Sequence, residues 1–239
     1  MKTQAAVLFE QPGKWEVVEA ELDGPGQGEL LVRMVAAGLC HSDDHVVTGD
    51  LPVQSLPMAG GHEGAGMVEE VGPNTPGWEA GDHVVLSFLP ACGLCRWCAS
   101  GMQNLCDNGA GILVGTRPDG SHRMTVGGVP VGQAAGVATF SQWSTVSVQS
   151  AVKCPPEIPL EVACLTSCGV STGWGSAVNS AQVRPGDVVI VMGVGGIGVN
   201  AVQGAAHAGA SVVIAVDPVE MKRRAALNLG ATHAVASMA

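Results

Sequence analysis

The chain has 239 residues, 46% of them hydrophobic and 13% charged, with a net charge of −10. This excludes a disordered chain and leaves room for one large domain or two moderate ones. The acidic balance argues against a nucleic-acid partner or an anionic membrane surface.

In chain order, the opening M-K-T-Q-A-A-V-L-F-E is not a secretory signal, because its apolar run is short and Glu10 interrupts it. Eight cysteines without an export signal read as a reduced, metal-binding set, and a cytoplasmic location is expected. Up to about residue 150 the chain reads as short strands, A-A-V-L-F, E-L-L-V-R-M-V-A-A, A-G-M-V-E-E-V and D-H-V-V-L-S-F, punctuated by Gly and Pro. Residues 107–140 read as a long Gly/Pro-containing excursion that ends in the strand-like T-F-S-Q-W-S-T-V-S-V.

After Pro159 the pattern changes. Residues 160–178 predict a helix, a turn and a second helix; strand V-V-I-V-M, a glycine-rich turn and a helix follow, then S-V-V-I-A-V-D, a further helix and a short strand. This β-α-β-α-β order predicts a parallel half-sheet. Val188 to Val216 carries no charge, which would permit a membrane span, but six glycines and the polar Asn200, Gln203, His207 and Ser211 favour a buried strand–helix–strand unit.

The most specific local signal is C-G-L-C-R-W-C-A-S-G-M-Q-N-L-C, which places cysteines at Cys92, Cys95, Cys98 and Cys106. Four thiolates at this spacing can fold into one tetrahedron and suit a closed structural zinc site; a disulfide pair is the alternative. Such a site holds a loop and does no chemistry.

Gly193, Gly195 and Gly198 form G-x-G-x-x-G, with Gly196 inside it, between a predicted strand and a predicted helix, and Asp217 follows 19 residues after Gly198. That context fits a dinucleotide pyrophosphate seated on a helix N-terminus, with Asp217 on the adenosine ribose. The charge of Asp217 favours NAD over NADP, although Lys222 and Arg223 on the next helix temper the preference. The alternative is that these glycines serve packing only.

Cys40 in G-L-C-H-S-D-D-H, His62 in G-G-H-E-G-A-G and Cys168 in T-S-C-G-V-S-T-G-W-G can form a three-ligand zinc site with an open fourth position. Two thiolates and a neutral imidazole balance Zn²⁺, and the resulting neutral site still polarises an alcohol oxygen. Asp43 can accept from the second ring nitrogen of His62. Taken singly, each residue also reads as ordinary core.

These motifs occur in one order: G-x-C-H-S-D, G-H-E-G-x-G, the four-cysteine lobe, C-G-x-S-T-G-W-G-S-A and V-x-G-x-G-G-x-G. On them the chain resembles the zinc-dependent medium-chain alcohol dehydrogenases along essentially its whole length. The resemblance implies an N-terminal GroES-like β-rich domain (1–160, α+β, with the zinc lobe at 92–106) and an α/β Rossmann domain (161–239). It implies oxidation of a small alcohol to an aldehyde or ketone by hydride transfer to NAD. Two zinc ions are implied, a catalytic one on Cys40, His62 and Cys168 and a structural one on the four cysteines. Glu63 is then an alternate ligand or a neighbour of the ligands. Ser42 receives the alcohol proton, His45 is the outer end of that relay through the nicotinamide ribose, His41 faces the pyrophosphate and Thr172 packs near the nicotinamide. Several runs, including K-T-Q-A-A-V-L-F-E and R-P-G-D-V-V-I-V-M-G-V-G-G-I-G-V-N-A-V-Q-G-A-A, are similar to the nitrosodimethylaniline-dependent, mycofactocin-associated branch of actinobacteria, whose members hold NAD(H) tightly. The glutathione–formaldehyde branch fits less well, since it places a basic residue where this chain has Asp107-Asn-Gly-Ala.

Against the six strands of a full dinucleotide fold, only three are expected here, with the first left as an apolar edge. The expectation is a C-terminally truncated, incomplete Rossmann domain that lacks the strand many homo-oligomeric members use to dimerise. Activity is then expected of the parent enzyme, and a non-catalytic zinc-binding fragment is the alternative.

Overall fold

The computed structural model describes residues 1–237, which fall into two compact units, one spanning Met1–Ser167 and one beginning at Cys168. The first contains, in order, β1 (Lys2–Leu8), β2 (Trp15–Leu22), β3 (Glu29–Gly38), α1 (His41–Thr48), β4 (Met58–Ala59), β5 (Glu63–Val71), β6 (His83–Leu86), α2 (Arg96–Ala99), β7 (Met124–Val126), β8 (Val129–Gln133), β9 (Trp143–Ser147), β10 (Ala151–Lys153) and α3 (Leu160–Ala163). Strands β1, β2, β7, β8 and β4 close a barrel, and a five-stranded sheet runs β10-β6-β5-β3-β9.

Alternation builds the barrel core. Thr3, Ala5 and Val7 of β1 are buried, and Ala5 and Val7 meet Ala20, Leu22, Ala59, Met124 and Val131. β3 breaks the alternation, because Leu30, Leu31 and Val32 are buried in succession. Leu31 packs in the barrel core while Leu30 and Val32 pack with Val68, Val84, Leu86 and Val146 in the sheet core. A strand with a core on each face reads as a continuous apolar run.

The excursion 107–140 is more ordered than its composition implies. β7 and β8 form a hairpin inside it, pairing Val126 with Val129 across Gly127 and Gly128, both at positive φ. A Gly-Gly loop of two residues supplies the turn whose twist matches the strands. Helix α1 is an element that periodicity does not reveal. The predicted first helix of 160–178 shrinks to α3 and a 3-10 turn, Cys164–Ser167. Leu160, Ala163 and Cys164 bury against Ala65 of β5, so this stretch belongs to the first unit, which therefore runs past residue 160.

The second unit holds α4 (Gly169–Gly175), extended by a π turn over Ser176–Ser180, then β11 (Val188–Met192), α5 (Gly196–His207), β12 (Val212–Val216), α6 (Glu220–Asn228) and β13 (His233–Val235). The strands are parallel in the order β11-β12-β13. Val202, Ala205, Val213, Ala215 and Ala226 form its core, with Val189 and Val191 packed against it. Val188, Ile190 and Met192 point the other way and are exposed. Among the described residues no helix is long and apolar enough to cross a membrane.

Candidate functional site

The four-cysteine lobe is built from nested turns. Cys92 Sγ accepts from the backbone N–H of Leu94 (3.4 Å) and Cys95 (3.3 Å), and Cys95 Sγ caps α2 by accepting from Cys98 N (3.5 Å). A 3-10 turn over Gln103–Leu105 returns the chain to Cys106, whose Sγ accepts from Cys92 N at 3.4 Å. The four sulfurs lie within 4.8 Å of one another, and those of Cys92 and Cys98 are 3.9 Å apart. Tetrahedral Zn–S bonds of about 2.3 Å require sulfur separations of about 3.8 Å, so the residues fit the ion. All four thiols are free, which sets aside the disulfide alternative.

The protons on these thiols are unequally held. Backbone N–H groups of Cys98 and Asp107 bring Cys95 down to about 6, whereas burial, together with the neighbouring sulfurs, pushes Cys98 up to about 12. Four sulfurs packed this closely cannot all ionise without a cation among them.

The second cluster depends on contacts across the fold. Cys40 caps the N-terminus of α1, and Asp43 Oδ2 accepts from Cys40 N at 3.1 Å. The other carboxylate oxygen, Oδ1, lies 3.1 Å from His62 Nδ1, with both side chains nearly buried. A proton on Nδ1 satisfies that contact and leaves the ring lone pair on Nε2, the atom that could ligate a metal. His62 follows Gly61, whose φ of +86° and tight approach to Phe140 suit only glycine. The ring of Phe88 stands edge-on to His62 at a centroid distance of 5.8 Å.

Cys40 Sγ and a ligand nitrogen of His62 lie within 4.8 Å. Burial pushes the Cys40 thiol up, but the N–H and hydroxyl of Ser42 and the His62 imidazole outweigh it and hold the thiol below its usual value. Ser42 Oγ is 3.7 Å from Cys40 Sγ. Glu63 is buried in β5, and its carboxylate occupies the space a side chain on Gly38 would fill, where a Cβ would come within 2.4 Å of Oε2. Ser167, the last residue of the first unit, is anchored there: its hydroxyl donates to Gly64 O and accepts from Gly64 N, each at 3.1 Å. Cys168 is the next residue in the chain.

Within α1 the rings of His41 and His45 meet edge to face at 4.6 Å. No hydrogen bond among the described residues joins Ser42 to His45. His45 instead faces Asp50, an acidic residue the sequence analysis did not single out, with Nδ1 to Oδ2 at 3.4 Å.

In the second unit, Gly193 sits at φ +82° and its N–H donates to Val216 O at 2.8 Å, closing the turn after β11. A Cβ on Gly198 would meet Gly193 O at 1.8 Å, so that glycine serves close packing, whereas Cβ atoms on Gly195 or Gly196 would meet nothing. The turn thus leaves open space at the start of α5, where backbone N–H groups are unspent and a phosphate fits. Asp217 directly follows β12 and is buried. Its Oδ1 accepts from Val219 N (2.8 Å) and its Oδ2 from Val194 N (3.1 Å). Those N–H groups, Val219 first, with Lys222 and Arg223 adding positive charge, hold its carboxyl below the usual range. Arg223 Nη1 donates to the carbonyls of Asp217 and Pro218, at 2.7 and 2.9 Å, so it serves the local turn. Lys222 is half-buried on α6, and Thr172 is exposed on α4 with its N–H bonded to Cys168 O at 2.9 Å.

Sequence reasoning missed a buried ion cluster at the start of β3. Glu29 accepts from Arg117 Nη1 (2.7 Å) and Arg123 Nε (2.9 Å), and Arg117 Nη2 donates to Thr145 O at 2.8 Å. These contacts tie the 107–140 stretch to the start of β3. Nothing in the local pattern pairs residues so far apart.

Residues 26–156 match the family described as the alcohol dehydrogenase GroES-like domain. The chain belongs to this family. Its GroES-like unit carries Cys40, His62 and the whole four-cysteine lobe. Among curated relatives, the chain is 56% identical over 237 residues to the NDMA-dependent alcohol dehydrogenase of Amycolatopsis methanolica, covering 99% of this chain and 64% of that protein. Among solved structures, it superposes with a TM-score of 0.92 and 39% identity on an alcohol dehydrogenase zinc-binding domain protein from Burkholderia ambifaria, covering 98% of this chain and 64% of that one. It also matches the acetophenone reductase of Geotrichum candidum, solved in complex with NAD, with a TM-score of 0.81 and 28% identity over 100% of this chain and 64% of that one. The chain thus spans just under two thirds of the length of these proteins.

Proposed function

We propose that the GroES-like unit and the glycine turn serve an NAD-linked, zinc-dependent alcohol oxidation, with zinc on Cys40, His62 and Cys168 and a second zinc on Cys92, Cys95, Cys98 and Cys106. The observation that carries this reading is Asp43. One carboxylate holds the backbone of Cys40 and the ring of His62 together, which presets two ligands and the tautomer of one. Cys168 is the third ligand in this reading, delivered by its covalent bond to the anchored Ser167.

When bound, zinc supplies a Lewis acid for the alcohol oxygen and NAD supplies the hydride acceptor. The chain's own residues do the rest. Asp43 keeps His62 Nε2 unprotonated. Ser42, beside Cys40, receives the alcohol proton, and His45 is the outer end of a route that would pass through the nicotinamide ribose of bound NAD, since no hydrogen bond among the described residues joins the two side chains directly. Phe88 excludes water beside His62. In the second unit the N–H groups at Gly195 and Gly196 hold the pyrophosphate, and Asp217 faces the adenosine ribose and disfavours a 2′-phosphate. His41 on the pyrophosphate, Thr172 near the nicotinamide and Lys222 near the ribose complete the contacts. The NDMA-dependent relative supports a cofactor held tightly enough to be recycled in place.

The experiment is to purify the full protein, determine bound NAD and zinc, and follow nitrosodimethylaniline reduction with a series of primary alcohols, with and without added NAD. Alcohol-dependent turnover that Cys40→Ser abolishes is expected. Turnover unaffected by that substitution would overturn the assignment. Replacing Asp217 with Gly should narrow the preference for NAD over NADP; equal binding of both cofactors by the unmodified protein would sink that role.

A further inference from the structure

The C-terminal end of α1 turns back on itself. Gly49 adopts φ +87° and its N–H donates to His45 O at 3.1 Å. Leu51 N donates to the same carbonyl at 2.9 Å, so the chain reverses at Gly49 and brings Asp50 beside the Nδ1 edge of the His45 ring. Thr48 Oγ donates to Asp50 Oδ2 at 2.8 Å, and His45 Nδ1 lies 3.4 Å from that same oxygen. The hydroxyl of Thr48 first, and His45 next, hold the Asp50 carboxyl below its usual range, so it is an acceptor at neutral pH. An ionised carboxylate cannot donate, and therefore the ring nitrogen facing it carries the hydrogen. The His41 ring packs against that of His45 edge to face, with centroids 4.6 Å apart. The loop packed against this end of the helix contributes Gln11, a neutral side chain that donates to Leu51 O at 2.9 Å.

We propose that Asp50 is a positioning residue for proton transfer: with Thr48 it fixes the His45 imidazole as the Nδ1–H tautomer, leaving Nε2 bare to take up the proton. A free imidazole in water prefers the hydrogen on Nε2, which would block that atom as an acceptor. The proposal rests on the reading of His45 as the outer end of the proton route, but the tautomer itself can be tested without turnover. Asp50 sits at the surface, and its side chain bonds Thr48 and His45, so its effect on the ring passes through these contacts.

The test is long-range ¹H–¹⁵N NMR on the full protein carrying ¹⁵N-histidine, with the His45 signals assigned from a His45→Gln spectrum. In the unmodified protein His45 should be the Nδ1–H tautomer. Asp50→Ala should convert it to Nε2–H, and Asp50→Asn should restore Nδ1–H, because the amide oxygen can still accept. In turnover, Asp50→Ala should lower kcat about threefold to tenfold with KM unchanged, and Asp50→Asn should recover most of the loss. An Nε2–H tautomer in the unmodified protein, or a kcat unmoved by Asp50→Ala, would overturn the proposal. Absence of alcohol turnover with His45 still Nδ1–H would count against the proposed reaction and not against the role of Asp50 in setting the ring.

Discussion

The first unit contains two groups of candidate metal ligands, the four-cysteine lobe and the Cys40–His62 pair, that differ in how they are held. In the lobe, the sulfurs span Cys92 to Cys106; those of Cys92 and Cys95 cap local turns by accepting backbone N–H groups, and that of Cys106 accepts from Cys92 N across the lobe. The cluster is a product of local chain folding, held by hydrogen bonds within one short segment. Cys40 and His62 are instead set by elements that exist for other reasons: the N-terminus of α1, the glycine turn before β5 and a buried carboxylate that bridges them. A cluster of the first kind depends on its metal for its shape, while one of the second kind is shaped before the metal arrives.

Breaking the lobe should therefore have the largest effect on stability. Cys98 is buried among the other sulfurs, so Cys98→Ser is expected to release one zinc and lower Tm by about 10 °C or more. Differential scanning calorimetry with metal analysis checks this. A Tm within a degree or two of the parent would mean that the lobe is held by its turns without the ion.

The preset site is sharpened by a smaller change. Asp43→Ala removes the bridge between Cys40 N and His62 Nδ1 and should weaken zinc at that site about 10- to 100-fold while the lobe keeps its ion. Competition with a chromophoric chelator reads the two sites as separate phases. Equal weakening of both phases would show that the clusters are not independent.

The smallest expected effect is at Gly38, where an added Cβ would press on the Glu63 carboxylate. Gly38→Ala should destabilise the unit by about 1–3 kcal/mol through overpacking and displace Glu63 without loss of either zinc. Urea unfolding followed by metal analysis checks this. Loss of metal from the Cys40 site would make Glu63 part of the ligand set.

The same contrast explains what the sequence revealed. Cys92, Cys95, Cys98 and Cys106 lie in 15 consecutive residues, so their spacing alone points to one site. The strands β3, β5, β6, β11, β12 and β13 were legible because apolar runs between Gly and Pro signals carry a strand period or a buried-strand signature. The hairpin at Gly127-Gly128 was overlooked inside a stretch judged by its composition, although a Gly-Gly pair between Val126 and Val129 is itself a hairpin signal. The end of the first unit at Ser167 was not legible either, because it is set by Leu160, Ala163 and Cys164 packing on Ala65, nearly a hundred residues earlier. Residues that act across such separations leave no periodic trace: Phe88 on His62, Gly38 under Glu63, Arg117 and Arg123 on Glu29. Asp50 was close to His45 in sequence, but its role depends on the reversal at Gly49.

The most direct test of the two-cluster account is zinc per chain together with Tm for the unmodified protein, Cys40→Ser and Cys98→Ser, all as full protein. The account predicts two zinc ions in the parent and one in each variant, with Tm lowered substantially only in Cys98→Ser. One zinc in the parent, or equal losses of Tm in the two variants, would contradict it.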